Sequence, residues 1–179
     1  TGAEAREIQS NTLLVRYNIN SSFAIQNELD FSKIKNNSDV FASRRFELEN
    51  FKIHPKLTYQ YGKSFSTSLF YSYQNKLNKV GIEELNQSDL GTEIQWNEVS
   101  KMSLLGSFSF VKNAFVGNGD SVVGNQMMEG LRAGDNMVWQ LQVQRQINSF
   151  LQLNISYDGR KTEANKAIHT GSVQLQARF

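Results

Sequence analysis

Apolar and polar residues alternate with a period of two through most of this chain, and only extended strands put every second side chain on one face. The stretch at about 12–20 sets Leu13, Val15, Tyr17 and Ile19 against Thr12, Leu14, Arg16 and Asn18. The pattern returns at about 23–33, 45–61, 65–77, 88–97, 101–112, 136–147, 150–160 and 166–179. Within 45–61 the phase changes: Phe46 and Leu48 fall out of step with Phe51, Ile53, Leu57, Tyr59 and Tyr61. A bulge near Glu49-Asn50 would restore the phase. Residues 1–11 read as a lead-in segment or loop, and 1–179 as a single β unit.

The connections sort by length. Those at 20–22, 62–64, 97–101 and 148–149 are tight, and those at 34–44, 78–87, 113–135 and 161–165 are longer and polar or Gly-rich. Short and long alternate strictly. A soluble sandwich has no reason to sort its connections this way, whereas outer-membrane barrels turn tightly on the periplasmic side and loop outward on the other. The expected fold is therefore all-β, an antiparallel up-and-down transmembrane β-barrel of about nine strands, placed in the bacterial outer membrane. Composition agrees. There are 12 Phe, one Pro and no Cys, and the net charge of +2 points to no nucleic-acid partner. No apolar run approaches the ~20 residues of a membrane helix.

Aromatic residues fall at the ends of the strands. Tyr17, Tyr59, Tyr61 and Trp96 lie close to short turns, and Trp139 and Tyr157 lie toward the long loops. Two such belts form the aromatic girdles that meet membrane lipid or lipopolysaccharide. The opposite face is mostly Gln, Asn, Ser and Thr, with Arg16, Glu28, Asp30, Lys52, Lys56 and Arg178 scattered along it and Gln140, Gln142, Gln144 and Gln146 in a row. It suits a water-lined interior with no field of one sign. Arg145 shares the phase of Trp139, near a short turn where it can snorkel to the interface. Nine strands is an odd number, and bacterial single-chain barrels use even ones. The expectation is a C-terminal portion of a longer chain, with further strands before Thr1.

Two stretches carry a family resemblance: "EGLRAGDNMVWQLQVQRQINSFLQLNISYDGRK" (129–161) and "IHTGSVQLQARF" (168–179). The Gly-Leu-x-x-Gly-x-Asn segment before a Trp-containing strand, the Tyr-x-Gly-Arg-Lys loop entry and the His-Thr-Gly start of the last strand resemble the C-terminal end of large outer-membrane β-barrel proteins of the bacteroidete type. The resemblance covers about the last 50 residues. It implies that the last strand is an assembly signal taken up by the barrel-assembly machinery, with Val173, Leu175 and Phe179 as the residues read. An exposed strand edge can pair with a partner's edge, and alternate side chains give the specificity.

Little in the sequence points to catalysis. His54 and His169 have no second His at ligand spacing, so neither a metal nor a cofactor is expected. In "HTGS" (169–172) the His and Ser point to opposite faces of a strand. "GNGDSVVGN" (117–125) has a single acid, Asp120, too few ligands for calcium, and no helix or Lys to follow as in a phosphate loop. It reads as a surface loop. Glu28 and Asp30 share a face, where they meet water or a basic residue across the strand. Met127, Met128 and Leu131 are apolar in a polar connection, and either contact another outer-membrane or surface protein or fold back over the barrel mouth. The expected role is non-catalytic: transport, export or scaffolding at the cell surface. The alternatives are a soluble β-barrel holding a small apolar ligand, and an outer-membrane enzyme or adhesin.

Overall fold

The computed structural model describes residues 4–38, 45–99, 101–162 and 165–177. They form one nine-stranded antiparallel sheet in which every strand pairs with its sequence neighbours, β1 through β9 in order. The strands are β1 (Glu4–Asn18), β2 (Phe23–Ser38), β3 (Phe46–Tyr61), β4 (Phe65–Asn78), β5 (Glu84–Glu98), β6 (Met102–Val116), β7 (Gly134–Gln146), β8 (Leu151–Thr162) and β9 (Ile168–Ala177). A single helix, α1 (Val122–Met127), lies between β6 and β7. Among the described residues β1 pairs with β2 alone and β9 with β8 alone.

The strands outrun the alternation that marks them. Residues 4–11 are strand rather than lead-in, and they pair with 31–38 of β2. β2, β5 and β6 likewise extend through stretches that read as loops, so three of the four long connections shrink to 39–45, 79–83 and 163–167. Water on both faces removes the need for alternation, while backbone pairing continues regardless. Only the β6–β7 connection stays long.

The bulge expected at Glu49-Asn50 is absent. Register between β2 and β3 runs unbroken from Asn36↔Phe46 to Phe23↔Tyr59. Phe46 and Leu48 point inward because something apolar covers them, as the next section describes.

The tight turns have local causes. Asn20 Oδ1 accepts hydrogen bonds from the backbone N–H of Ser22 and of Phe23, both at 2.8 Å. Asn148 Oδ1 accepts from the N–H of Phe150 at 2.9 Å. Such side chains mimic a turn of the backbone. Gly62 takes φ of 60°, open to glycine at no steric penalty, between β3 and β4.

The two faces differ sharply. The outer face carries Leu13, Val15, Tyr17, Ile25, Leu57, Leu69, Leu90, Ile94, Phe108, Leu141, Val173 and Leu175, all exposed. A soluble barrel around an apolar ligand would reverse this. On β4 the apolar stretch runs from Phe65 to Tyr73. That is roughly 26 Å of strand at ~3.3 Å per residue, or about 20 Å of height at a ~40° tilt, close to a hydrocarbon band.

Past this band, toward the long-loop end, the outer face becomes a charged collar. Lys33 Nζ lies 2.6 Å from Glu47 and 3.6 Å from Glu49, and Lys79 Nζ lies 2.8 Å from Glu49. The hydrogen bond from Lys33 holds the Glu47 carboxyl below its ordinary range, and the hydrogen bond from Lys79 does the same for Glu49. Bonding to Glu47 raises Lys33. These groups are solvated, so each pair adds little on its own.

Two outcomes follow from this geometry. Leu69→Arg, at the middle of the apolar band, lowers unfolding stability in lipid by roughly 2–4 kcal/mol, measured by urea titration in vesicles. The collar responds to pH at both ends. Depressed carboxyl values make the glutamate contribution complete above the unfolded value near ~4.3 and lost as pH falls through the folded value. The raised lysine is complete below its unfolded value near ~10.4 and lost as pH rises through the folded one. Amide exchange at 33–36 and 46–49 therefore quickens below about pH 4, and Glu47→Gln with Glu49→Gln flattens that acid limb.

Candidate functional site

The inner face is polar, and the β6–β7 connection folds down onto its long-loop end. Ser121 starts α1: it is extended at φ −70° and ψ 160°, and its Oγ accepts from the N–H of Gly124 at 2.9 Å. That is an N-cap. The segment that read as a surface loop without a helix is therefore a short helix packed inward. The reason is composition: Val123, Met127 and Met128 supply one apolar side.

Those three residues meet Phe46, Leu48 and Leu85 in a buried cluster, with Ile34 and Phe115 at its margin. Leu85 and Met127 are 0% exposed and Met128 2%. The inward phase of Phe46 and Leu48 is thus the seat for α1. Met127 and Met128, offered by sequence either to a partner or to the barrel mouth, bury their side chains within the chain. Leu131 stays partly exposed.

Polar bonds lock the loop in place. Lys76 on β4 is buried, and its Nζ donates to the Met127 carbonyl at 2.8 Å and to Glu129 Oε1 at 2.6 Å. Glu129 reaches this position with φ of 55°, the left-handed region that costs a non-glycine residue about 1 kcal/mol or more. Gly130 follows at φ 77°. Asn136, fully buried at the start of β7, donates from Nδ2 to the carbonyls of Arg132 (2.9 Å) and Gly134 (3.0 Å). Its Oδ1 accepts from the Arg132 N–H (3.3 Å) and the Thr162 hydroxyl (3.0 Å). Asn113 Nδ2 donates to the Arg132 carbonyl at 3.0 Å, and Arg160 Nη1 to that of Gly130 at 3.0 Å. Every member of this buried network is paired, the condition under which it rigidifies a loop.

Beyond the loop, toward the short turns, the inner wall encloses a cavity of about 480 Å³. Ser, Thr and Gln dominate its lining. The ammonium of Lys56 and the carboxylate of Glu93 close on each other across β4. Asp30 accepts from Ser10 and Thr12, both at 2.9 Å, and so sits in a hydroxyl ladder rather than beside a second acid. Among the described residues no three His, Cys, Asp or Glu side chains gather as a metal set. No helix is long and apolar enough to cross a membrane, which says nothing of strands.

The aromatic residues named from sequence all sit on the outer face. Near the short turns Tyr59 packs on Phe23 with centroids 4.9 Å apart, and Tyr17, Tyr61 and Trp96 are exposed. At the other end, Trp139 lies over Gly159, where an added Cβ would stand 2.1 Å from Cε2. His169 joins it at 5.6 Å and accepts or donates one hydrogen bond with the Tyr157 hydroxyl at 2.8 Å. Sequence reasoning missed this His as a girdle member. Its outward phase beside Gly171 was the available signal. Val173 and Leu175 project outward from β9, while Phe179 lies outside the described residues. Arg145 also faces outward, opposite Met102 and Leu153.

No protein-family model matches the sequence, and no curated protein matches it. Solved structures do. The outer-membrane-expressed OmpT of Vibrio cholerae superposes with a TM-score of 0.61 at 11% identity, over 87% of this chain and 46% of that one. The in-vitro folded OmpT, an outer membrane protein of Vibrio cholerae, gives 0.61 and 11% over 86% and 45%. The NanC porin in a rhombohedral crystal form aligns at 9% identity over 99% and 98%, with a TM-score of 0.43 too loose to carry weight. The chain spans less than half the length of OmpT. At this identity the likeness is one of fold: the antiparallel up-and-down sheet of an outer-membrane barrel.

Removing the buried anchor loosens the loop but not the sheet. Met127→Ala costs the loop's packing about 2–4 kcal/mol, and Lys76→Met frees Glu129 from its strained backbone. Both variants gain protease cuts at 117–133, mapped by mass spectrometry, while amide protection in β3–β5 persists.

Proposed function

We propose that this chain is a non-catalytic wall segment of a bacterial outer-membrane β-barrel, with the polar face lining a passage for water-soluble material and the β6–β7 loop narrowing its outer end. The observation that carries this is the sorting of the two faces: an apolar band of membrane height outside, and inside a polar wall onto which a long loop is pinned. The tight turns then face the periplasm, and the aromatic belts meet lipid or lipopolysaccharide. The edge of β9, with Val173, Leu175 and Phe179, is the part offered to the barrel-assembly machinery. Export, or a scaffolding role for other surface proteins, uses the same wall.

An unpaired strand edge in hydrocarbon leaves each N–H and C=O unsatisfied at several kcal/mol apiece. The free edges of β1 and β9 are therefore paired in the membrane. We assign them to further strands of a longer chain rather than to each other, because an odd count departs from bacterial practice.

The test uses the intact protein in planar bilayers. An ohmic ion conductance is expected, and deletion of 118–132 raises it. Silence from both proteins overturns the passage and leaves a scaffold. On immunoblots raised against 117–135, urea-washed membranes carry a band well above the 20.4 kDa of this chain. A soluble band at that mass overturns the membrane assignment.

A further inference from the structure

One aromatic ring stands on the inner wall among polar neighbours. Phe70 points inward from β4, with Ser68 and Ser72 beside it on the same face. It covers Gly91 of β5: a Cβ built there would lie 2.3 Å from Cζ and 2.8 Å from Cε1. The His54 ring flanks it at 5.1 Å, tilted by 39°. Only a glycine lets the ring settle this close to the sheet, so the pair Phe70 and Gly91 holds an aromatic face along the wall.

Phe70 is the register partner of both Lys56 and Gly91, which places it at the rim of the 480 Å³ cavity. Below it the cavity offers hydroxyls and amides, among them Thr58, Ser68, Gln140 and Gln142. Its opposite charges, Lys56 and Glu93, are spent on each other. Arg16 donates from Nε to Asn18 Oδ1 at 3.3 Å. The site has donors and acceptors in plenty and one apolar platform. An apolar ligand would leave the amides and hydroxyls unpaired, which is costly. A charged ligand would have to part the Lys56–Glu93 pair. A sugar ring satisfies both demands: its C–H face stacks on the aromatic ring and its hydroxyls exchange hydrogen bonds with Ser, Thr and Gln. The volume falls within the usual range of small-molecule sites, ~300–1,000 Å³.

We infer that this wall holds a neutral saccharide, with Phe70 as the stacking platform and the hydroxyl- and amide-lined cavity beneath it as the hydrogen-bonding site. The inference rests on the polar-passage reading and names its solute. The experiment is equilibrium dialysis of the intact protein in detergent against radiolabelled maltotriose, with glutamate and lysine as charged comparators. Saturable maltotriose binding is expected, with no saturable uptake of either amino acid. Phe70→Leu keeps Gly91 covered but removes the aromatic face, and weakens binding about tenfold, the size of one aromatic contact. Phe70→Trp keeps it, and Leu69→Ala on the outer face changes nothing. Should Phe70→Leu fail to assemble, Gln140→Leu reads the same site from the hydrogen-bonding side and also weakens binding. Absence of saturable maltotriose binding, tighter retention of a charged amino acid, or undiminished binding by the assembled variant overturns the inference. Dialysis reads binding and not flux. A protein that binds maltotriose without conducting refutes the passage alone, and one that conducts without binding refutes this site alone.

Discussion

A backbone amide in hydrocarbon has no water to bond, so each strand of a membrane sheet depends on the strand beside it. This requirement governs the whole chain. It explains the meander, since a strand joined by a tight turn to the next finds its hydrogen-bond partner at once. It explains the unbroken registers, from Glu4↔Ser38 in the first hairpin to Leu151↔Ala177 in the last. With pairing settled by the backbone, the pleat leaves each side chain a choice of two solvents. Leu69 and Leu141 take lipid, and Ser68 and Gln140 take water.

The long β6–β7 connection has a different logic. It spends apolar side chains inside a polar interior, which is unfavourable unless the wall answers in kind. Phe46, Leu48 and Leu85 do answer, and Met127 and Met128 fill the space between them. Lys76 is the polar counterpart: buried, it needs partners, and it finds a carbonyl and the carboxylate of Glu129. The left-handed backbone at Glu129 is offset by that pairing. A loop tied at both ends, by Lys76 near α1 and by Asn136 at the start of β7, stays put as part of the wall.

Much of the sheet was legible in the sequence, because period two in a membrane band reports which solvent each side chain meets. Tyr17, Trp96 and Trp139 could be put on the outer face by counting alone. The count failed where that solvent contrast ended. Residues 4–11, 34–38 and 84–87 are strand in water, where nothing forces alternation, and they read as loop. It failed again at Phe46 and Leu48, whose phase suggested a bulge. Their inward direction answers a helix about 75 residues away, a contact that no local pattern displays.

Sequence alone determined the class of sheet, the identity of its two faces and the end at which its tight turns lie, since all three follow from the side chain's preference for lipid or water at each pleat. Tertiary structure alone decided that 117–133 turns inward, that Lys76 and Asn136 hold it there, and that Phe70 lies over Gly91 beside the Lys56–Glu93 pair. Those arrangements join residues from strands and loops far apart in the chain, and the energy of a packed cluster or a closed hydrogen-bond network exists only once the partners meet.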